Sequence, residues 1–102
     1  MKPLLEKEIQ SAILDYLHYR KIFAWKTGSG AFRVGDRFVR MGQVGVADIV
    51  GILPNGQFFA CEVKSKRGKL TPLQEEFIAT IKRNKGVAIV ARCLDDVINT
   101  LK

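Results

Sequence analysis

The sequence predicts an α/β (α+β) chain, a mixed β-sheet flanked by helices. Three observations carry that expectation. The N-terminal stretch repeats apolar residues at helical spacing. An Asn-Gly turn joins two apolar runs in the middle of the chain. A Thr-Pro pair then opens a second helical stretch, which leads into another short apolar run.

Taken in order, residues 4 to about 20 read as a helix. Leu5, Ile9, Ala12, Ile13, Tyr16 and Leu17 recur on one side, and no residue breaks the run. Ile22 to Lys26 is a short strand, and Gly28-Ser29-Gly30 a loop. Phe32 to Met41 reads as a hairpin turning at Gly35-Asp36, with Gly42 and Gly45 marking a bend. Val46 to Leu53, the turn Pro54-Asn55-Gly56, and Gln57 to Lys64 form the central hairpin. Both of its strands are apolar on both parities, as in a sheet covered on two faces. Ser65 to Leu70 is a basic loop. Thr71 caps a helix that starts at Pro72 and reaches about Asn84, with Gly86 beyond it. Val87 to Ala91 is a last strand and Asp95 to Leu101 a last helix. The 102 residues have the size of one domain, 1–102, with room for one site.

Charge narrows the function. Seventeen Lys and Arg against ten Asp and Glu leave +7. A small basic domain suits a polyanion, and nucleic acid is the first candidate. The longest apolar runs fall far short of the roughly 20 residues of a membrane span. Charge enters too early after Met1 for a signal peptide, so a cytoplasmic location is expected. Cys61 and Cys93 lack Cys-x-x-Cys spacing, so neither a zinc site nor a disulfide framework is expected.

Three charged residues interrupt the central hairpin: Asp48 on one strand, Glu62 and Lys64 on the other. Glu62 and Lys64, two apart, point to the same face. If Leu53 faces Gln57 across the turn, Asp48 falls opposite Glu62, with Cβ atoms about 4.5–5.5 Å apart. A two-residue turn would instead leave them diagonal. Two opposed acids repel and need a counter-charge. A divalent cation supplies it, and carboxylate oxygens suit Mg²⁺ or Mn²⁺. The alternative is a salt bridge from Lys64. On the first helix, Glu6 lies roughly 50° from the centre of the apolar face and Glu8 roughly 110° away. Glu6 is therefore the candidate third acid. Its other reading is a solvated acid at a helix start.

Gly45-Val46-Ala47-Asp48-Ile49 followed by Glu62-Val63-Lys64 resembles the D…ExK core of the PD-(D/E)XK nucleases, which have a restriction-endonuclease-like fold. Within them the chain is similar to the virus-type replication-repair nuclease domain, VRR-NUC, often found as small phage proteins. The similarity takes in Glu6-Lys7-Glu8-Ile9-Gln10, Phe23-Ala24-Trp25-Lys26, the Gly-Ser-Gly loop and Gly68-Lys69-Leu70-Thr71-Pro72-Leu73-Gln74. Ala47 departs from the proline of the superfamily's name, at a position that shapes backbone rather than chemistry. The resemblance implies that Asp48 and Glu62 hold Mg²⁺ or Mn²⁺, with the Val63 carbonyl as a further ligand and Glu6 completing the shell directly or through water. It implies that Lys64 orients or deprotonates the attacking water or stabilises the transition state, and that Gln74 positions substrate or Lys64.

The expected activity is that of a Mg²⁺- or Mn²⁺-dependent DNA endonuclease hydrolysing phosphodiesters. One site per chain and two strands to cut suggest a homodimer; the resemblance, together with two-fold symmetry, further implies branched DNA or a Holliday junction as substrate. The resemblance further implies replication or repair proteins as partners and the interior of a phage-infected or bacterial cell as the setting. Lys66, Arg67 and Lys69, beside the catalytic strand, are candidates for phosphate contacts. So are Lys26, Gly28, Ser29, Arg33, Arg37 and Arg40 around the glycine loop and hairpin. The competing readings are a nicking or flap nuclease, a nucleic-acid-binding module without chemistry, and a basic subunit of a replication complex. Trp25 and Phe32 read as core or dimer packing, and His18 as a surface residue.

Overall fold

The computed structural model describes residues 4–27, 31–40 and 45–102. The elements run α1 (Glu6–Tyr19), β1 (Phe23–Lys26), β2 (Ala31–Val34), β3 (Arg37–Arg40), β4 (Ile49–Ile52), β5 (Phe58–Val63), α2 (Pro72–Arg83), β6 (Val87–Ala91) and α3 (Leu94–Thr100). β1, β4, β5 and β6 lie side by side in that order, and β2 with β3 forms a separate two-stranded ribbon. β1 and β4 flank one another antiparallel, as do β4 and β5, whereas β5 and β6 are parallel. The sheet is therefore mixed, and α2 makes the crossover that a parallel pair requires.

Strand parity separates two cores. Ile49, Phe59, Cys61 and Val63 face α1 and α3, packing against Ile9, Ile13, Leu17 and Val97. Val50, Ala60 and Ala88 face the other way, against Ile78 of α2. Apolar residues on both parities of β4 and β5 thus mean what they predict: helices cover both faces of the central strands. Cys61, fully buried on the α1 side, has its thiol pushed up to about 12, first by burial and then by the nearby Asp48 and Glu62 charges. It is chemically quiet packing.

The central turn has the three-residue form. Leu53 N–H donates to Gln57 O at 2.9 Å, Gly56 N–H donates to Leu53 O at 2.8 Å, and Gly56 takes φ +91°. Leu53 therefore faces Gln57, and Ile52 pairs with Phe58 through to Ile49 with Cys61. One step further, the same register sets Asp48 against Glu62. The small ribbon turns at Gly35-Asp36, with Val34 opposite Arg37.

β4 is shorter than the apolar run suggests, because side chains replace the ladder at its start. Thr27 Oγ1 donates to Ala47 O at 2.8 Å, Thr27 N–H donates to Asp48 O at 2.9 Å, and the Asp48 carboxylate accepts the Val63 N–H. Gly45, at φ +85°, turns the chain into this segment. A side chain there would stand 2.9 Å from Leu73 Cβ and carbonyl O, so glycine lets the segment lie against the first turn of α2.

β1 approaches β4 as closely at Gly51, where a Cβ would lie 2.8 Å from Ala24 Cβ and collide with the Phe23 carbonyl. Neither neighbour can rotate away. Gly51→Ala is expected to destabilise the chain by about 2 kcal/mol or more, lowering the midpoint by roughly 10 °C in a thermal melt. An unchanged melt would contradict the packing described.

Candidate active site

The site forms where the ends of β4 and β5 meet the starts of α1 and α2. Asp48 comes from just before β4 and Glu62 from the penultimate position of β5. Glu62 is the buried charged residue of the described chain, at 3% exposure. Asp48 Oδ2 accepts the Val63 N–H at 2.8 Å, which holds its carboxylate at the strand end beside Glu62. In an extended strand a residue's N–H and C=O point the same way, so the Val63 carbonyl is directed to the Asp48 side as well.

Gln74 is fixed from two directions. The sequence Thr71-Pro72-Leu73-Gln74 builds a capping box: Gln74 N–H donates to Thr71 Oγ1 at 3.2 Å, and Thr71 N–H donates to Gln74 Oε1 at 2.9 Å. With Oε1 taken, the amide NH₂ is left to face the site. It donates to Glu62 Oε1 at 3.1 Å. Lys64 Nζ stands 3.9 Å from the same oxygen, with its side chain 14% exposed.

The two acids on α1 have separate duties. Glu8 Oε1 accepts the Leu5 N–H at 3.0 Å and caps its own helix. Glu6 Oε2 reaches across to accept the Ser65 N–H at 3.1 Å, next to Lys64. Among the described residues no three His, Cys, Asp or Glu side chains converge into a metal-holding group. Asp48 and Glu62 are the close pair, and Glu6 stands at their margin.

Electrostatics at Glu62 are severe. Burial, and next the neighbouring Asp48 carboxylate, push its carboxyl up to about 8, against a smaller opposing pull from Lys64. At neutral pH it therefore keeps a proton that an ordinary glutamate has lost.

The candidate phosphate-binding residues fall into two groups. Lys66, Arg67 and Lys69 are exposed on the loop after β5, and Lys26 is exposed at the end of β1. Among the described residues the ion pairs are Lys64–Glu62 and Arg83–Glu76, so none of these four is neutralised by an acid. Arg37 is exposed at the ribbon turn, and Arg33 and Arg40 lie on the ribbon strands. Gly28 and Ser29 fall outside the described residues.

The VRR-NUC domain profile matches residues 4–94. The chain belongs to the VRR-NUC family. A solved structure described as a VRR_NUC domain protein superposes with TM-score 0.70, covering 99% of this chain and 88% of that one at 19% identity. At that identity the likeness shows the fold alone. No curated protein matches the chain. The VRR-NUC domain is a nuclease-type domain.

Two side chains around this VRR-NUC site carry no sequence signal. Thr27 fixes the backbone at Ala47 and Asp48 through its hydroxyl. Arg92, after β6, sends its guanidinium into the loop that follows Lys64. Trp25 belongs to neither core and is 44% exposed. His18 is exposed, with Nε2 hydrogen-bonded to Ala24 O at 3.0 Å.

The family's chemistry calls for a divalent cation, and the donor set suits one. Two hard carboxylates share a buried corner with a carbonyl directed toward it, and one of them is costly to ionise alone. A cation there would take the place of the proton on Glu62.

That proton has a measurable consequence. Between the ordinary glutamate range and about pH 8, the unfolded chain releases a proton that the folded chain keeps, so stability falls as pH rises through that window. Glu62→Gln removes the titrating group and is expected to flatten this slope in metal-free protein. The variant should melt higher than the parent at pH 8.5 and nearly the same at pH 4.5. Parallel pH profiles for the two proteins would contradict the buried acid pair.

Proposed function

We propose that this VRR-NUC domain is a Mg²⁺- or Mn²⁺-dependent DNA endonuclease that hydrolyses phosphodiesters, acting on branched DNA such as a four-way junction as a homodimer. The observation that supports it most is the opposed Asp48–Glu62 pair with Lys64 on the same strand face. A module that only bound DNA would gain nothing from directing two acids at a polyanion.

Asp48 and Glu62 would hold the cation, the Val63 carbonyl would add a ligand, and Glu6 would join through water. The cation would polarise the phosphodiester and make bound water more acidic. Gln74 holds one Glu62 oxygen, Oε1, on the α2 side. Lys64 stands where an attacking water can be oriented or a developing oxyanion stabilised. Lys66, Arg67 and Lys69 extend that positive field along the loop, and Lys26 lies near the other flank, so a phosphate backbone can be tracked through the site.

An exposed apolar row supports the homodimer. Phe23, Ile52 and Phe58 stand in register across β1, β4 and β5, and Trp25 lies 5.2 Å from Phe23, ring centre to ring centre. Phe23 is 68% exposed. The row lies on the α2 side of the sheet, outside the α2 core. A patch of four large apolar side chains is the kind of centre that two-fold interfaces bury.

Asp48→Ala and Glu62→Ala are each expected to abolish metal-dependent cleavage while keeping DNA binding, scored on a panel of single strand, duplex, flap and four-way junction with Mg²⁺ or Mn²⁺. Full activity in either variant would sink the site. Lys64→Ala should slow the single-turnover rate far more than it weakens binding. Changing Lys66, Arg67 and Lys69 together to Ala should reduce the slope of log K against log salt by about 3. An unaltered slope would mean that these residues miss the phosphates.

A further inference from the structure

We propose that Arg92 is a positioning residue for Lys64, acting through the turn Ser65–Gly68; the inference rests on the nuclease reading of the site. Arg92 lies between β6 and α3, remote in sequence from the catalytic strand. Its Nη1 donates to Ser65 O at 2.6 Å and Gly68 O at 2.8 Å, with Lys66 O at 3.4 Å. Three carbonyls of one turn thus converge on one cationic nitrogen. Nη1 has two hydrogens, so the short contacts to Ser65 O and Gly68 O are the charge-assisted bonds, stronger than an amide–carbonyl bond, and Lys66 O at most shares one of them.

The turn so gripped is the one that carries Lys64 out of the sheet. Ser65 and Gly68 close it, Gly68 N–H donating to Ser65 O at 3.1 Å. Lys64 N–H is fixed separately, donating to Ala91 O at 3.0 Å, one residue before Arg92. The Lys64 stem runs over the turn: a Cβ on Gly68 would lie 3.4 Å from Lys64 Cδ. Ser65 N–H is held from the opposite side by Glu6. The backbone under the Lys64 stem is therefore clamped between a carboxylate from α1 and a guanidinium from beyond β6. Only the Lys64 ammonium end is left to be set by the site.

Arg92 is itself pre-set. Its backbone N–H donates to Asp96 Oδ2 at 2.8 Å, so the start of α3 fixes the origin of the side chain. That bond survives any change of the side chain, which keeps substitutions at this position interpretable. Lysine keeps the charge but carries its donors on a differently shaped stem, so it meets the two carbonyls less well than the planar guanidinium does.

The test compares Arg92→Lys and Arg92→Ala with the parent by two independent readouts. The first is amide hydrogen exchange at Gly68, which needs no substrate. It should accelerate on the order of tenfold or more in Arg92→Ala, and less in Arg92→Lys. The second is single-turnover cleavage of a four-way junction with Mg²⁺ at saturating enzyme. It should drop about tenfold or more in Arg92→Ala, with partial recovery in Arg92→Lys. In a Lys64→Ala background the Arg92 change should then have no further effect on the rate. Unchanged Gly68 exchange would overturn the clamp whatever the parent cuts. Additive rate losses in the double variant would overturn the route through Lys64. Faster exchange with no cleavage by the parent protein would retire the nuclease reading, and the positioning role with it.

Discussion

The structure depends on placing two like charges side by side in a buried corner. Asp48 and Glu62 come from adjacent strands, and Glu62 is almost wholly buried. The chain manages this repulsion by several local means. A proton stays on Glu62 up to about pH 8, and the Val63 N–H holds Asp48. The Gln74 amide donates to Glu62, and Lys64 stands nearby. Each of these groups is in turn fixed by a secondary-structure feature: a strand end, a helix cap, a parallel ladder. The fold therefore carries a strained electrostatic site on rigid supports, the arrangement expected where function overrides local stability.

The supports converge from separate parts of the chain. α1 brings Glu6 to Ser65, and α2 begins with the box that aims Gln74. Thr27 closes the frayed start of β4, and Arg92 grips the turn after Lys64. The two glycines with the least room, Gly45 and Gly51, serve the same end. One seats the Asp48 segment against α2, and the other lets β1 press onto β4. The acids stand together where β4 begins and β5 ends, between α1 and α2.

Much of this is legible in the sequence because it is local. Asn55-Gly56 with a flanking apolar pattern sets the hairpin register, and the register brings Asp48 to Glu62. Thr71-Pro72 marks the start of α2, and Gln74 at its third position completes the box. Glu6 and Glu8 differ in helical angle, and the structure sends one to Ser65 and the other to its own helix cap. What escapes the sequence is non-local or unpatterned. Arg92 bonds carbonyls 24 to 27 residues away, and a lone arginine before a helix has no periodicity to betray it. Thr27 acts through one hydroxyl after a strand end. The short length of β4 follows from side chains replacing ladder bonds, which apolar pattern alone does not reveal. The placement of β1 beside β4, and with it the exposed row of Phe23, Ile52 and Phe58, is a matter of strand order that no local signal encodes.

In the proposed nuclease the acid pair would exchange its proton for a divalent cation. Calorimetric titration of the protein with Mn²⁺ at pH 7, repeated in two buffers of different ionisation enthalpy, counts the protons released per ion bound. Saturable binding is expected, with a net number of protons released at pH 7 clearly above zero. That number should fall toward zero above pH 9, and binding should be lost in Asp48→Ala. Binding without proton release at pH 7, or binding unaffected by the loss of Asp48, would contradict it.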